Sequence, residues 1–164
     1  MSHPARGLPP ATPDSPHAPA AGRLREDPAS VALRAVGAAL ARDPGLGARC
    51  GEPMVRLLVR DGERHTEQLA RALETGEDAW AVEYASWIVP VMRRRGIPMK
   101  DLGTLFLGLG DAARPLVGPE SAVEVDRLVE AMIAALDRPR HLPGDRPRNP
   151  IAGLFWKASG MAGW

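Results

Sequence analysis

Apolar side chains recur every three or four residues in successive runs of this 164-residue chain. Short corners bearing Pro and Gly separate the runs, and no stretch alternates apolar with polar residues as a strand does. These observations predict an all-α fold: an antiparallel helical bundle of about five helices, with a disordered N-terminal arm and a short C-terminal docking helix. The stretch 65–117 organises it, because its three apolar-periodic runs each present one face and those faces must meet. The length suits one domain with a real core. A formal charge of +1 gives no global field that would draw the chain to nucleic acid, and no nucleic acid partner is expected. Cys50 is the single cysteine, which excludes an internal disulfide and a thiolate metal cluster. The first residues lack the apolar core of roughly 7 to 15 residues that a secretory signal needs, and nowhere do about 18 uncharged apolar residues run together, so a cytoplasmic location is expected.

Taken in order, residues 1–26 hold six prolines with little to bury and read as a disordered Pro/Ala-rich arm; His3 and His17, which lie in it, are assigned no role. The helical bundle domain spans 27–137. Asp27 followed by Pro28 is a helix-start pair, and Val31, Leu33, Val36 and Leu40 carry that helix to about Arg42. The next helix starts near Glu52 or Pro53. Its stripe of Met54, Leu57, Leu58, Asp61, His65, Leu69 and Leu73 ends at Thr75 and Gly76, with Gly62 as a weak point. Asp78 is the expected cap of a helix carrying Trp80, Tyr84 and Trp87, with a kink near Ser86 to Pro90. Arg93, Arg94 and Arg95 suit its negative end and Gly96 its left-handed exit.

After Pro98, a helix from Leu102 to Leu116 persists despite Gly103, Gly108 and Gly110, which implies that another backbone approaches it. The last helix of the bundle, Glu120 to Leu136, should bury Val123, Val125, Leu128, Val129, Met132, Ile133 and Leu136. Residues 138–148 form a basic, Pro-containing linker. Residues 149–164 begin with Asn149 and Pro150 and hold a short amphipathic helix that is too short to be stable undocked.

No phosphate-cradling loop, dinucleotide fingerprint, zinc-protease, CxxC or nucleophile-elbow motif occurs, so no catalytic or metal-binding residue is assigned and the chain reads as a non-enzyme. A ligand pocket is expected at His65, Trp80, Tyr84 and Trp87. His65 has two open readings: a ligand or proton donor facing a cavity bounded by those aromatics, or a core histidine satisfied by Tyr84 or a backbone carbonyl. A partner-binding surface is expected at Ile151, Leu154, Phe155 and Trp156, with membrane contact of this helix as the lesser alternative to a protein partner or self-association.

The order of His65, a leucine-rich helix, the Glu74 to Gly76 corner, Tyr84-x-x-Trp87, Arg95-Gly96-Ile97-Pro98 and a second leucine-rich helix resembles the helical module that accompanies cobalamin-binding domains in bacterial sensory and regulatory proteins. The resemblance covers roughly residues 52–135. It implies an all-α module in a sensory setting, lying over the upper face of a corrin, with cobalamin or another tetrapyrrole as the implied cofactor. The family's Rossmann-like domain is absent from this chain. Of its DxHxxG loop only the half from His141 to Gly144 is found, with Pro139 where the aspartate belongs, and neither Trp80 nor Trp87 is followed by the Glu-His pair of light-sensing members. Two functions suit these features: a sensory or regulatory module with a small hydrophobic or tetrapyrrole-like ligand in an interhelical pocket, and a ligand-free interaction or oligomerisation module. The second would use the glycine-bearing helix 102–116 and the 149–164 helix as its surfaces.

Overall fold

A computed structural model describes residues 15–137. Within them the chain forms six helices, α1 (Ala18–Glu26), α2 (Pro28–Arg42), α3 (Gly45–Thr75), α4 (Asp78–Arg94), α5 (Met99–Val117) and α6 (Pro119–Leu136), packed as an all-α bundle. None is long and apolar enough to cross a membrane. The linker and terminal helix expected over 138–164, including Ile151, Leu154, Phe155 and Trp156, lie outside the described residues.

The helix α1 corrects the expectation of a disordered arm at its end, over 18–26, while residues 1–14 of that arm lie outside the described residues. Pro19 falls in its first turn, where no backbone donor is needed, so proline content does not oppose the helix. Ala20, Ala21 and Leu24 are buried. Arg23 Nη2 donates to the Val117 carbonyl at 2.8 Å, and the Arg25 guanidinium meets Glu67 at 3.0 Å and Glu74 at 2.9 Å. His17, just ahead of the helix, places Nδ1 3.0 Å from the Ser121 hydroxyl. The element is short, and long-range partners on α3, α5 and α6 hold it.

At the start of α2, Asp27 Oδ1 accepts the Ser30 N–H at 2.9 Å, the cap the residue pair implies. Ala32, Ala35 and Ala39 make α2 a slender helix whose backbone approaches its neighbours closely. A Cβ on Gly108 of α5 would stand 2.2 Å from the Ala35 carbonyl oxygen, and one on Gly62 of α3 would stand 2.8 Å from the Ala32 Cβ. The backbone approach inferred from the α5 glycines is thus made at Gly108; Gly103 and Gly110 face only side chains. Gly62 is a crossing point rather than a weak one. The same packing covers the Gly108 side of α5 with α2 and removes it as a surface for partners.

Other differences have local causes. The helix α3 begins at Gly45, ahead of the expected Glu52. Gly51, at φ 72° and ψ 160°, breaks it, so the segment 45–50 is a separate turn that seats Leu46 in the core. Asp78 lies in the first turn of α4 rather than capping it, and its carboxylate pairs with Arg127 of α6 at 2.8 Å. The helix continues without interruption past Pro90. Val123, expected inside, is 72% exposed, and Leu33, named in the run that carries α2, is 63% exposed. Each lies within an apolar run whose remaining members already fill the buried face.

Candidate functional site

Helices α3, α4 and α5 bring the expected pocket residues and their nearest ring neighbour together. His65 comes from the inner stripe of α3 and is 4% exposed. Its Nδ1 lies 2.7 Å from the hydroxyl of Tyr84 on α4, and the Phe106 ring of α5 stands perpendicular to the imidazole at 5.4 Å. Nε2 has no hydrogen-bond partner among the described residues. Burial, helped by the nearby Arg64 charge, pushes the imidazole down to about 4, because an imidazolium there would lose its hydration without gaining a counter-charge. Burial also raises the Tyr84 phenol above its ordinary value. The pair is therefore neutral at pH 7, and His65 is sealed into the core, in keeping with the reading that Tyr84 satisfies it.

Trp87 stacks on Tyr84 with ring centroids 6.1 Å apart and planes inclined by 28°, and it is only half-buried. His65, Tyr84 and Trp87 thus run in contact from core to surface. Trp80 lies apart from this line. It is 5% exposed, its Nε1 has no partner among the described residues, and the Arg71 guanidinium lies over its ring at 5.1 Å.

At the outer end of the line is a groove of about 860 Å³. Tyr84 and Trp87 line one side and the α1–α2 corner, through Arg25 and Pro28, lines another. The polar face of α3 completes it with Arg60, Arg64, Gln68 and Arg71, together with Glu63 and Glu67. The structure therefore lines the groove with two of the four expected residues, the half-buried Trp87 and the fully buried Tyr84 stacked on it, whereas His65 and Trp80 are not among the groove's lining residues. Axial ligation of a metal in a tetrapyrrole by His65 does not fit this arrangement, since α3 and α4 would have to part.

The charges of the groove fall into two groups. Arg25 is engaged by Glu67 and Glu74, and Arg71 by Glu67 at 3.4 Å and by Trp80. Arg60 and Arg64 have no hydrogen bond or ion pair among the described residues. Both were missed in reading the sequence. Their signal is the spacing of Arg60, Arg64, Gln68 and Arg71, a polar stripe at helical period on the face opposite Leu58, Leu69 and Leu73.

Elsewhere, Cys50 is a poor nucleophile, its thiol pushed up by burial and by the Asp101 carboxylate. Among the described residues no three His, Cys, Asp or Glu side chains gather as a metal site. Comparison with protein-family models, with curated proteins and with solved structures finds no match for this chain.

Proposed function

We propose that the bundle is a non-enzymatic sensory or regulatory module that takes a small planar ligand in the groove between α3 and α4. One observation carries this reading: a groove in the size range of small-molecule sites opens beside Trp87, which is stacked on Tyr84, which in turn is bonded to a core histidine. A ring docking against Trp87 bears on Tyr84, and Tyr84 bears on His65 and Phe106. Contact at the surface therefore reaches α3, α4 and α5 together, which is what a module that reports ligand to its surroundings requires. The likeness of residues 52–135 to modules that accompany cobalamin-binding domains favours the same sensory setting, and a tetrapyrrole is one planar ligand of suitable shape.

The test is a titration with cobalamin forms and with haem, followed by absorbance and by co-elution on a sizing column. Uptake by the wild-type chain that is lost in Trp87→Ala, with helicity retained, supports the groove. Uptake that is indifferent to Trp87→Ala, or no uptake of either compound or of any planar probe, sinks it.

A further inference from the structure

We infer that the groove selects a planar ligand bearing an acid group, a carboxylate, sulfonate or phosphate on an aromatic or macrocyclic body, and that Arg60 and Arg64 hold the acid. This rests on the groove reading above and adds the chemistry of the ligand. Arg60 and Arg64 are four residues apart on α3, so they are neighbours on one face of the helix and both guanidinium groups can reach a single anion. They are also the two groove arginines whose charge no described residue answers. Arg25 and Arg71 are occupied by Glu67, Glu74 and the Trp80 face, which fixes those two side chains as walls and leaves Arg60 and Arg64 as the available donors.

Glu63 lines the same groove without a described partner, so its charge offsets one of the two and the unanswered balance is still positive. Arg64 stands at the Tyr84 end, where its charge is felt at the phenol and at His65. An acid held there would have its ring over Trp87, the half-buried outer member of the aromatic stack. Apolar contact and charge-assisted hydrogen bonds would then act on one molecule from adjoining walls.

Two fluorescent probes separate these contributions. Anilinonaphthalene sulfonate and phenylnaphthylamine share an arylaminonaphthalene body, and only the first carries an acid. The wild-type chain should bind the sulfonate at least about tenfold more tightly than the neutral probe, since a hydrogen bond to a charged group is worth about that factor or more. The double variant Arg60→Gln, Arg64→Gln should bind both probes alike, and Trp87→Ala should weaken both. Arg60 and Arg64 are exposed helix positions, so this double variant keeps the fold.

Equal wild-type affinities for the two probes, or a sulfonate affinity unmoved by the double variant while Trp87→Ala weakens both, would overturn the charge assignment and leave the groove reading intact. If Trp87→Ala moves neither probe, the groove reading fails and the inference with it. Hexaglutamate bound more tightly than the sulfonate and indifferent to Trp87→Ala would assign the arginines to an acidic polypeptide and also overturn the inference.

Discussion

The hydroxyl of Tyr84 and Nδ1 of His65 meet at 2.7 Å inside the bundle, where Tyr84 has no solvent exposure and His65 almost none. Two tautomers allow the bond. If the imidazole N–H donates, the phenol proton and the Nε2 lone pair are both left without partners; if the phenol donates to Nδ1, a single N–H at Nε2 is left over. The second arrangement leaves fewer groups unsatisfied. The phenol is thus the donor and the imidazole is held neutral.

That assignment sets a pH dependence. The folded imidazole titrates at about 4 against an ordinary 6.5, so between these values the unfolded chain binds the additional proton and stability falls as the pH falls. The loss begins as pH drops through 6.5 and is complete as it passes about 4. A shift of this size corresponds to about 3 kcal/mol. Urea unfolding of the wild-type chain between pH 7.5 and 4.5 should therefore show a falling midpoint, and the fall should be largely absent in His65→Gln. A midpoint slope equal in the two proteins would place the titrating group elsewhere. Asp111, Glu74 and Asp78, each held below the ordinary carboxylate value by an arginine hydrogen bond, add their own losses at lower pH still.

The crossing of α2 and α5 makes a second expectation quantitative. Gly108→Ala drives a Cβ into the Ala35 carbonyl, a backbone atom that cannot move aside, so the two helices must separate and the cost should be about 2 to 4 kcal/mol. Gly37, on the open side of α2, has nothing within 4 Å of its would-be Cβ, and Gly37→Ala should stabilise by about 0.5 to 1 kcal/mol through helix propensity. Thermal melts of the pair should move in opposite directions. Equal shifts would mean that the α2–α5 approach is looser than described.

Residue spacing made most of this bundle legible. The starts of α2 and α5, the end of α4 and the break between α5 and α6 follow from Asp27, Pro98, Gly96 and Gly118, because caps, proline starts and positive-φ glycines are local chemistry. The two readings of His65 were also legible, and its contact with Tyr84 follows from one of them. The helix α1 was hidden because its buried face is only Ala20, Ala21 and Leu24 and its polar partners, Glu67, Glu74 and Val117, lie far away in sequence. The groove was hidden for a related reason. Which arginines are engaged depends on where Glu67, Glu74 and Trp80 come to lie, and spacing along α3 alone does not fix that.

Because α1 is held by distant partners, its anchor should matter to the whole domain. Leu24 is fully buried, and Leu24→Ala should cost about 2 to 4 kcal/mol by lost burial and the cavity left behind. An arm that packed on nothing would tolerate the change within about 0.5 kcal/mol. Chemical denaturation separates these outcomes, and protease cleavage near Arg23 and Arg25 should rise in the variant as α1 opens more often.

Ion pairs here differ by burial. Asp101, in the first turn of α5, has a side chain only 2% exposed and receives two hydrogen bonds from Arg49, at 2.7 and 3.2 Å. Arg49 also reaches Asp43 at 2.7 Å, so one guanidinium ties the end of α2 to the start of α5. Removing the acid strips the buried position of its fork, while Arg49 keeps Asp43 and access to water. Asp101→Ala should therefore cost about 1 to 3 kcal/mol, less than breaking a fully enclosed pair. Asp126, about half exposed and paired with Arg114 at 2.7 Å, should cost under about 1 kcal/mol when changed to Ala, with much of the effect lost in high salt. Denaturant midpoints of the two variants, measured at low and high salt, should rank Asp101 well above Asp126 and show salt sensitivity mainly in the second. A reversed ranking would mean that the α2–α5 junction is held by the Ala35–Gly108 contact alone and that the Arg49 fork only decorates it.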